Sequence, residues 1–286
     1  MTRGGLAFML TPFVARPIAL AGLGVLLAVA LAAITAPWLA PHDPYAIDPI
    51  ARLTPPNAAH WFGTDQFGRD TLSRAIYSAR MALLIGSGVV VFALVTGVPI
   101  AVFSALFPRL GHVLMRMVDV LMAFPSLLLA LGLIVILGPS VANSILAIGI
   151  GFMTTTTRIV YGLTLRLRAE TYVEAARSMG SGTGWIAARH ILPNLISPLL
   201  VQASFVFAFA QLGAASLDFL GLGAPPEIPS WGNMLAESRT FITRAPWLLL
   251  FPGMMIVLTA FSLNLVGDAL RDRLDPRFRD VFGGEG

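Results

Sequence analysis

The sequence predicts an all-α, polytopic membrane protein with six transmembrane helices. Three observations carry this. Charged side chains make up 12% of the 286 residues and hydrophobic ones 56%, with a mean hydropathy of +0.79. Soluble domains hold roughly 25% charged residues, and a fold of this size could not hide so much apolar surface from water. Uncharged runs recur at the length a bilayer crossing needs, about 20 residues. The 19 basic residues are all arginine and lie between the apolar runs, so the pI near 10.3 reflects membrane orientation rather than a nucleic-acid partner. The absence of cysteine removes disulfides, thiolate metal sites and cysteine nucleophiles. The absence of lysine removes a Walker A phosphate loop and Schiff-base chemistry. No catalytic residue, no metal site and no cofactor held by this chain is expected.

The first span is expected over Ile18 to Ala36, an uncleaved anchor, since 19 apolar residues exceed a signal-peptide core. The second falls within Met81 to Pro108. The uncharged run from Val120 to Thr157 is too long for one crossing, and Gly138-Pro139-Ser140 divides it. That gives a third span over Val113 to Leu137 and a fourth over Val141 to Leu163. Ile191 to Leu217 and Ala245 to Gly267 supply the fifth and sixth. The chain then divides into residues 1–80 (tail, first helix and outer segment), a core over 81–270 and a tail over 271–286. A cytoplasmic N-terminus puts thirteen arginines inside and six outside, which the positive-inside rule favours, with both termini in the cytoplasm. Trp38, Trp61, Trp231 and Trp247 then fall at outer ends, as an aromatic belt would have them.

The outer segment is rich in proline and runs into Trp61-Phe62-Gly63-Thr64-Asp65-Gln66-Phe67-Gly68-Arg69-Asp70. Asp70 suits the N-cap of the next helix. Gly63 and Gly68 allow backbone angles closed to other residues. On the other side, the loop 166–194 carries Thr171-Tyr-Val-Glu174, a capping-box pattern, and Gly180 at the place of a left-handed helix stop. A two-turn helix from Tyr172 to Met179 follows, with Tyr172, Ala175, Ala176 and Met179 on one side. Ser230 can cap a short helix through Trp231 to Arg239. Within the spans, Ser204, Gln211 and Asn264 are polar groups that either join helices or line a pathway. Asp119 and Arg116 are expected to pair.

These motifs together carry a resemblance. The run GTDxxGRDxxSRxxYxAR from Gly63 resembles inner-membrane permeases of dipeptide, oligopeptide and nickel ABC importers, in particular the C-type subunit with an extra first helix. Glu174-Ala175-Ala176, then Gly180, then Leu192-Pro193, resembles the EAA loop of these permeases; His190 to Asn194 is similar to a run of the oligopeptide branch. The runs at Phe219 and Pro229, and the closing run from Asn264 to Arg277, are similar to that family too. The resemblance implies a type I ABC importer permease fold in a bacterial inner membrane, working with a second homologous permease. It further implies two ATP-binding subunits that hold ATP and Mg, and an extracytoplasmic substrate-binding protein. It makes Tyr172, Glu174, Ala175, Ala176, Met179, Gly180 and Pro193 ATPase-coupling residues. Ser204, Gln211 and Asn264 become candidates for the pathway. The alternative is a stand-alone secondary transporter or channel, which would need charges or broken helices near mid-bilayer.

Overall fold

A computed structural model describes residues 17–274; the expected tails, with Arg3, Arg16, Arg277 and Arg279, lie outside the described residues in whole or large part. The described residues are helical with no strands. In chain order the helices are α1 (Pro17–Leu39), α2 (Thr71–Leu106), α3 (Pro108–Met122), α4 (Ser126–Leu137) and α5 (Val141–Arg168). There follow α6 (Thr171–Ser178), α7 (Thr183–Ile186), a π turn (Ala187–Ile191), α8 (Leu192–Phe219), α9 (Trp231–Ser238) and α10 (Trp247–Leu274).

Among the described residues, five helices are long and apolar enough to cross a membrane; the third expected span is a broken pair, α3 and α4, bent by 90°. The break is chemical. Pro125 disfavours the α region at Phe124, and α3 stops at Met122 before α4 restarts at Ser126. Gly138, at φ +84°, ends α4 as expected, and Ser140 caps α5 by accepting from Asn143 N at 3.1 Å.

Lipid gives no hydrophobic drive between helices, so close packing and small residues must supply it. The most extensive packing is between α2 and α5. There Gly97 lets α5 approach until Thr157 Oγ1 donates to Gly97 O at 3.3 Å. Helix α8 crosses α2 at Gly86, where an added Cβ would strike Gln211 and Phe207. Helix α1 lies outermost, against α2 and, through Gly22, against α10. Three apolar clusters stack along the bundle. One joins Ala33, Ala75, Ala79, Trp231 and Ile256 at the α9 end. The middle one joins Ile85, Val89, Ile134, Ile148, Val206 and Leu217. The third joins Val102, Val160, Val173, Ile186, Ile191 and Leu195 at the α6 end.

Candidate functional site

The α6 end holds the loop singled out by its sequence. Its start differs from the capping-box expectation. Helix α5 continues to Arg168, leaving only Ala169 and Glu170 as connection, so Glu170 becomes the N-cap with extended backbone. Thr171 is already the first helical residue, no side-chain cap bond forms, and Glu174 is exposed. The end is as expected and more complete: Gly180 sits at φ +87°, its N–H donates to Arg177 O at 2.9 Å, and Ser181 N–H donates to Ala176 O at 3.1 Å. Those two bonds make a Schellman motif, which satisfies the last carbonyls of a helix too short to persist alone.

The expected single face also changes. Val173 and Ala176 point inward and are buried, whereas Tyr172, Glu174, Ala175 and Met179 face outward. Ala176 thus serves the packing of its own loop, because α6 must bury one stripe on the ends of α2, α5 and α8. Met179 is 80% exposed and Trp185 53%, two large apolar groups on a hydrophilic loop. His190 bridges the loop, its ring 5.6 Å from Tyr172 and 5.0 Å from Trp185. Partial desolvation, helped by the Glu170 carboxylate, pushes the Tyr172 phenol up from its usual value. The π turn immediately before Leu192-Pro193 absorbs the proline, which has no N–H to donate backwards and whose ring crowds the preceding turn. Arg168 anchors the loop from the other side, its Nη1 donating to Ala105 O in the last turn of α2 at 2.6 Å. Asp119 pairs with Arg158 at 2.6 Å, not with Arg116, because the packing of α3 on α5 brings Arg158 to its side chain.

Each of the three polar span residues bonds to a backbone carbonyl. Ser204 donates to Leu200 O at 3.2 Å and lies where Gly267 of α10 crosses α8. Asn264 donates to Ala260 O at 2.9 Å in its own helix. Gln211 is buried and donates to Ala82 O across the α2–α8 crossing. A groove of about 220 Å³ lies elsewhere, between α4, α5 and α8, lined by Ser126, Phe152, Phe209 and Ser216 among others.

At the α9 end the proline-rich segment and α9 form a clamp. Asp70 caps α2 as expected, its Oδ2 accepting from Ser73 N at 2.8 Å. Ser230 caps α9 the same way, accepting from Asn233 N at 3.0 Å while donating to buried Asp218 at 2.7 Å. Asp65 Oδ1 accepts from Arg69 N at 2.9 Å, and Arg69 reaches Glu237 at 2.7 Å. Arg74, 1% exposed, meets Glu237 at 3.4 Å and Asp65 at 3.7 Å. Two carboxylates and two guanidiniums thus join the loop and α2 to α9. Trp231 Nε1 donates to Ala75 O at 3.0 Å and Trp247 Nε1 to Thr64 O at 3.2 Å. These two tryptophans are packing elements of the clamp rather than a lipid belt; Trp38 and Trp61 are exposed. The network of Asp65, Arg69, Arg74 and Glu237, and buried Asp218, were not anticipated. Their signal was charge close to the ends of apolar runs.

Residues 97–280 match the family described as binding-protein-dependent transport system inner membrane component, and residues 9–56 match the N-terminal TM domain of oligopeptide transport permease C. The dipeptide transport system permease DppC of Alkalihalophilus pseudofirmus is 42% identical over 92% of this chain and 86% of its own length. The di/tripeptide transport system permease DppC of Pseudomonas aeruginosa is also 42% identical, over 92% and 89%. A solved inward-facing MetNI methionine ABC transporter chain superimposes with a TM-score of 0.61 at 17% identity, covering 71% of this chain and 97% of that one. At that identity the likeness shows the fold, a type I importer permease bundle, to which this chain adds α1.

Proposed function

From a chain that belongs to the family of binding-protein-dependent transport inner membrane components, we propose a permease subunit for ATP-driven import of di- or oligopeptides, coupled to its motor through loop 166–194. The peptide assignment rests on relatives named for dipeptide and di/tripeptide transport. The observation that carries the coupling role is the outward display of Tyr172, Ala175, Met179 and Trp185 on a loop fastened inward by Val173 and Ile186. Such a patch suits an ATPase groove, which would bury the exposed Met179 and Trp185. ATP and Mg would be held by two partner ATPases, because the chain has no lysine for a phosphate loop. One coupling loop serves one ATPase, so a second homologous permease completes the pathway, and a substrate-binding protein docks outside. The α6 end and both termini are cytoplasmic in this reading, as the arginine distribution favours, in a bacterial inner membrane.

The test is ATP hydrolysis in proteoliposomes holding the whole importer. Loaded binding protein should stimulate it, and Met179→Asp should abolish the stimulation without reducing permease content. Peptide uptake by this chain alone would favour a stand-alone carrier and overturn the proposal.

A further inference from the structure

We propose that His42, His60 and Asp70 form a binding site for a divalent transition metal of the zinc class, although the sequence by itself suggested no metal site. The proposal stands apart from the transport reading and needs no partner subunit. All three ligand atoms lie within 4.8 Å of one another. His60 Nδ1 is 2.9 Å and His42 Nδ1 3.7 Å from the same oxygen, Asp70 Oδ1. Metal bonds of about 2.0–2.1 Å in tetrahedral geometry place ligand atoms about 3.3 Å apart, and the two observed separations bracket that edge. A simple His60–Asp70 hydrogen bond explains the shorter distance. It does not explain a second imidazole nitrogen turned to the same oxygen at 3.7 Å, beyond hydrogen-bond reach.

The surroundings orient the carboxylate and hold the backbone of both histidines. Asp70 Oδ2 is already used, accepting from Ser73 N at 2.8 Å and Ser73 Oγ at 2.7 Å, which leaves Oδ1 directed at the imidazoles. Ser73 Oγ also accepts from His42 N at 3.1 Å, tying the first histidine to the same turn. Asn57 Oδ1 accepts from His60 N at 3.0 Å and holds the second. The Asp70 carboxylate is buried, and the rings pack 4.8 Å apart, centroid to centroid. Two imidazoles and one carboxylate suit zinc, cobalt, nickel or copper rather than calcium or magnesium. Three protein ligands leave one tetrahedral position for water. The ion would staple three segments distant in sequence: the exit of α1, the turn at residue 60 and the first turn of α2.

The test uses the full chain in detergent, purified on a tag without histidine, stripped with EDTA and titrated with Co²⁺. Binding should saturate at one ion per chain in the micromolar range, with the visible absorption of a four-coordinate site, and one equivalent of Zn²⁺ should displace it. Zn²⁺ should raise the Tm of the wild type. His42→Ala and His60→Ala should each weaken binding at least tenfold, and Ser73→Ala by ten- to a hundredfold through loss of orientation. His112→Ala, on α3 away from this site, should bind as wild type. The wild-type titration decides even if a variant folds poorly. No saturable uptake by the wild type, or a Tm that follows pH without any metal uptake, would reduce the trio to a hydrogen-bonded pair beside a second ring. Unchanged binding in the histidine variants would also overturn the site.

Discussion

Gly68 and Gly180 have similar backbones, at φ +76° and +87°, yet they should respond to alanine in opposite ways. A Cβ on Gly68 would lie 1.8 Å from Asp48 O, whose own residue is held by Asp48 N donating to Phe67 O at 3.2 Å. Backbone cannot yield there, so Gly68→Ala should collapse membrane abundance, read by immunoblot of membrane fractions. A Cβ on Gly180 meets nothing within 4 Å, leaving only left-handed strain of about 1–2 kcal/mol. Gly180→Ala and Gly180→Asn should reach wild-type abundance and keep stimulated ATPase activity; Gly180→Val, strained further by β-branching, should keep abundance and lose stimulation. Equal stimulation in the valine variant would make the loop a mere connector. Both glycines were legible as turn positions in the sequence. Which of them has no room was not, because the obstacle at Gly68 comes from twenty residues earlier in the chain.

At the scale of elements, α6 shows why a face cannot be read from eight residues of pattern alone. Val173 was passed over and Ala176 assigned outward, because the sequence did not reveal that the α2, α5 and α8 ends lie beneath this helix. Val173→Asp would bury a charge in the cluster with Val160 and Ile191. It should lower Tm in detergent sharply, whereas Met179→Asp should leave Tm unchanged. The clamp makes a second element-level prediction. Glu237→Gln removes one of two carboxylates shared by Arg69 and Arg74. Breaking such a buried arrangement costs on the order of 3 kcal/mol, and the loss should appear as a lower Tm rescued by Glu237→Asp in part. The caps at Asp70 and Ser230 were legible because capping is local. The 90° bend between α3 and α4 was missed, because hydropathy runs unbroken across Phe124-Pro125-Ser126 and reads as one span.

For the whole molecule, the absence of cysteine makes every introduced thiol unique. Ile50→Cys, at a 96% exposed position, should react with a membrane-impermeant maleimide in intact spheroplasts. Gly182→Cys, also exposed, should react only after permeabilisation; the reverse pattern would invert the orientation and remove the coupling assignment. Span number and order were legible because lipid demands long apolar runs, and the crossings were not, since small residues and polar donors meet only in three dimensions. One helix joins the clamp to the loop. At about 1.5 Å per residue, the 36 residues of α2 make a rod about 54 Å long. Its first turn is bolted to the clamp through Asp70 and Arg74, and its last turn to the loop through Arg168. A rod fixed at both ends cannot let one end move alone. A tilt of roughly 10° would displace one end relative to the other by about 9 Å, so a shift of the loop and a shift of the clamp are two ends of one motion.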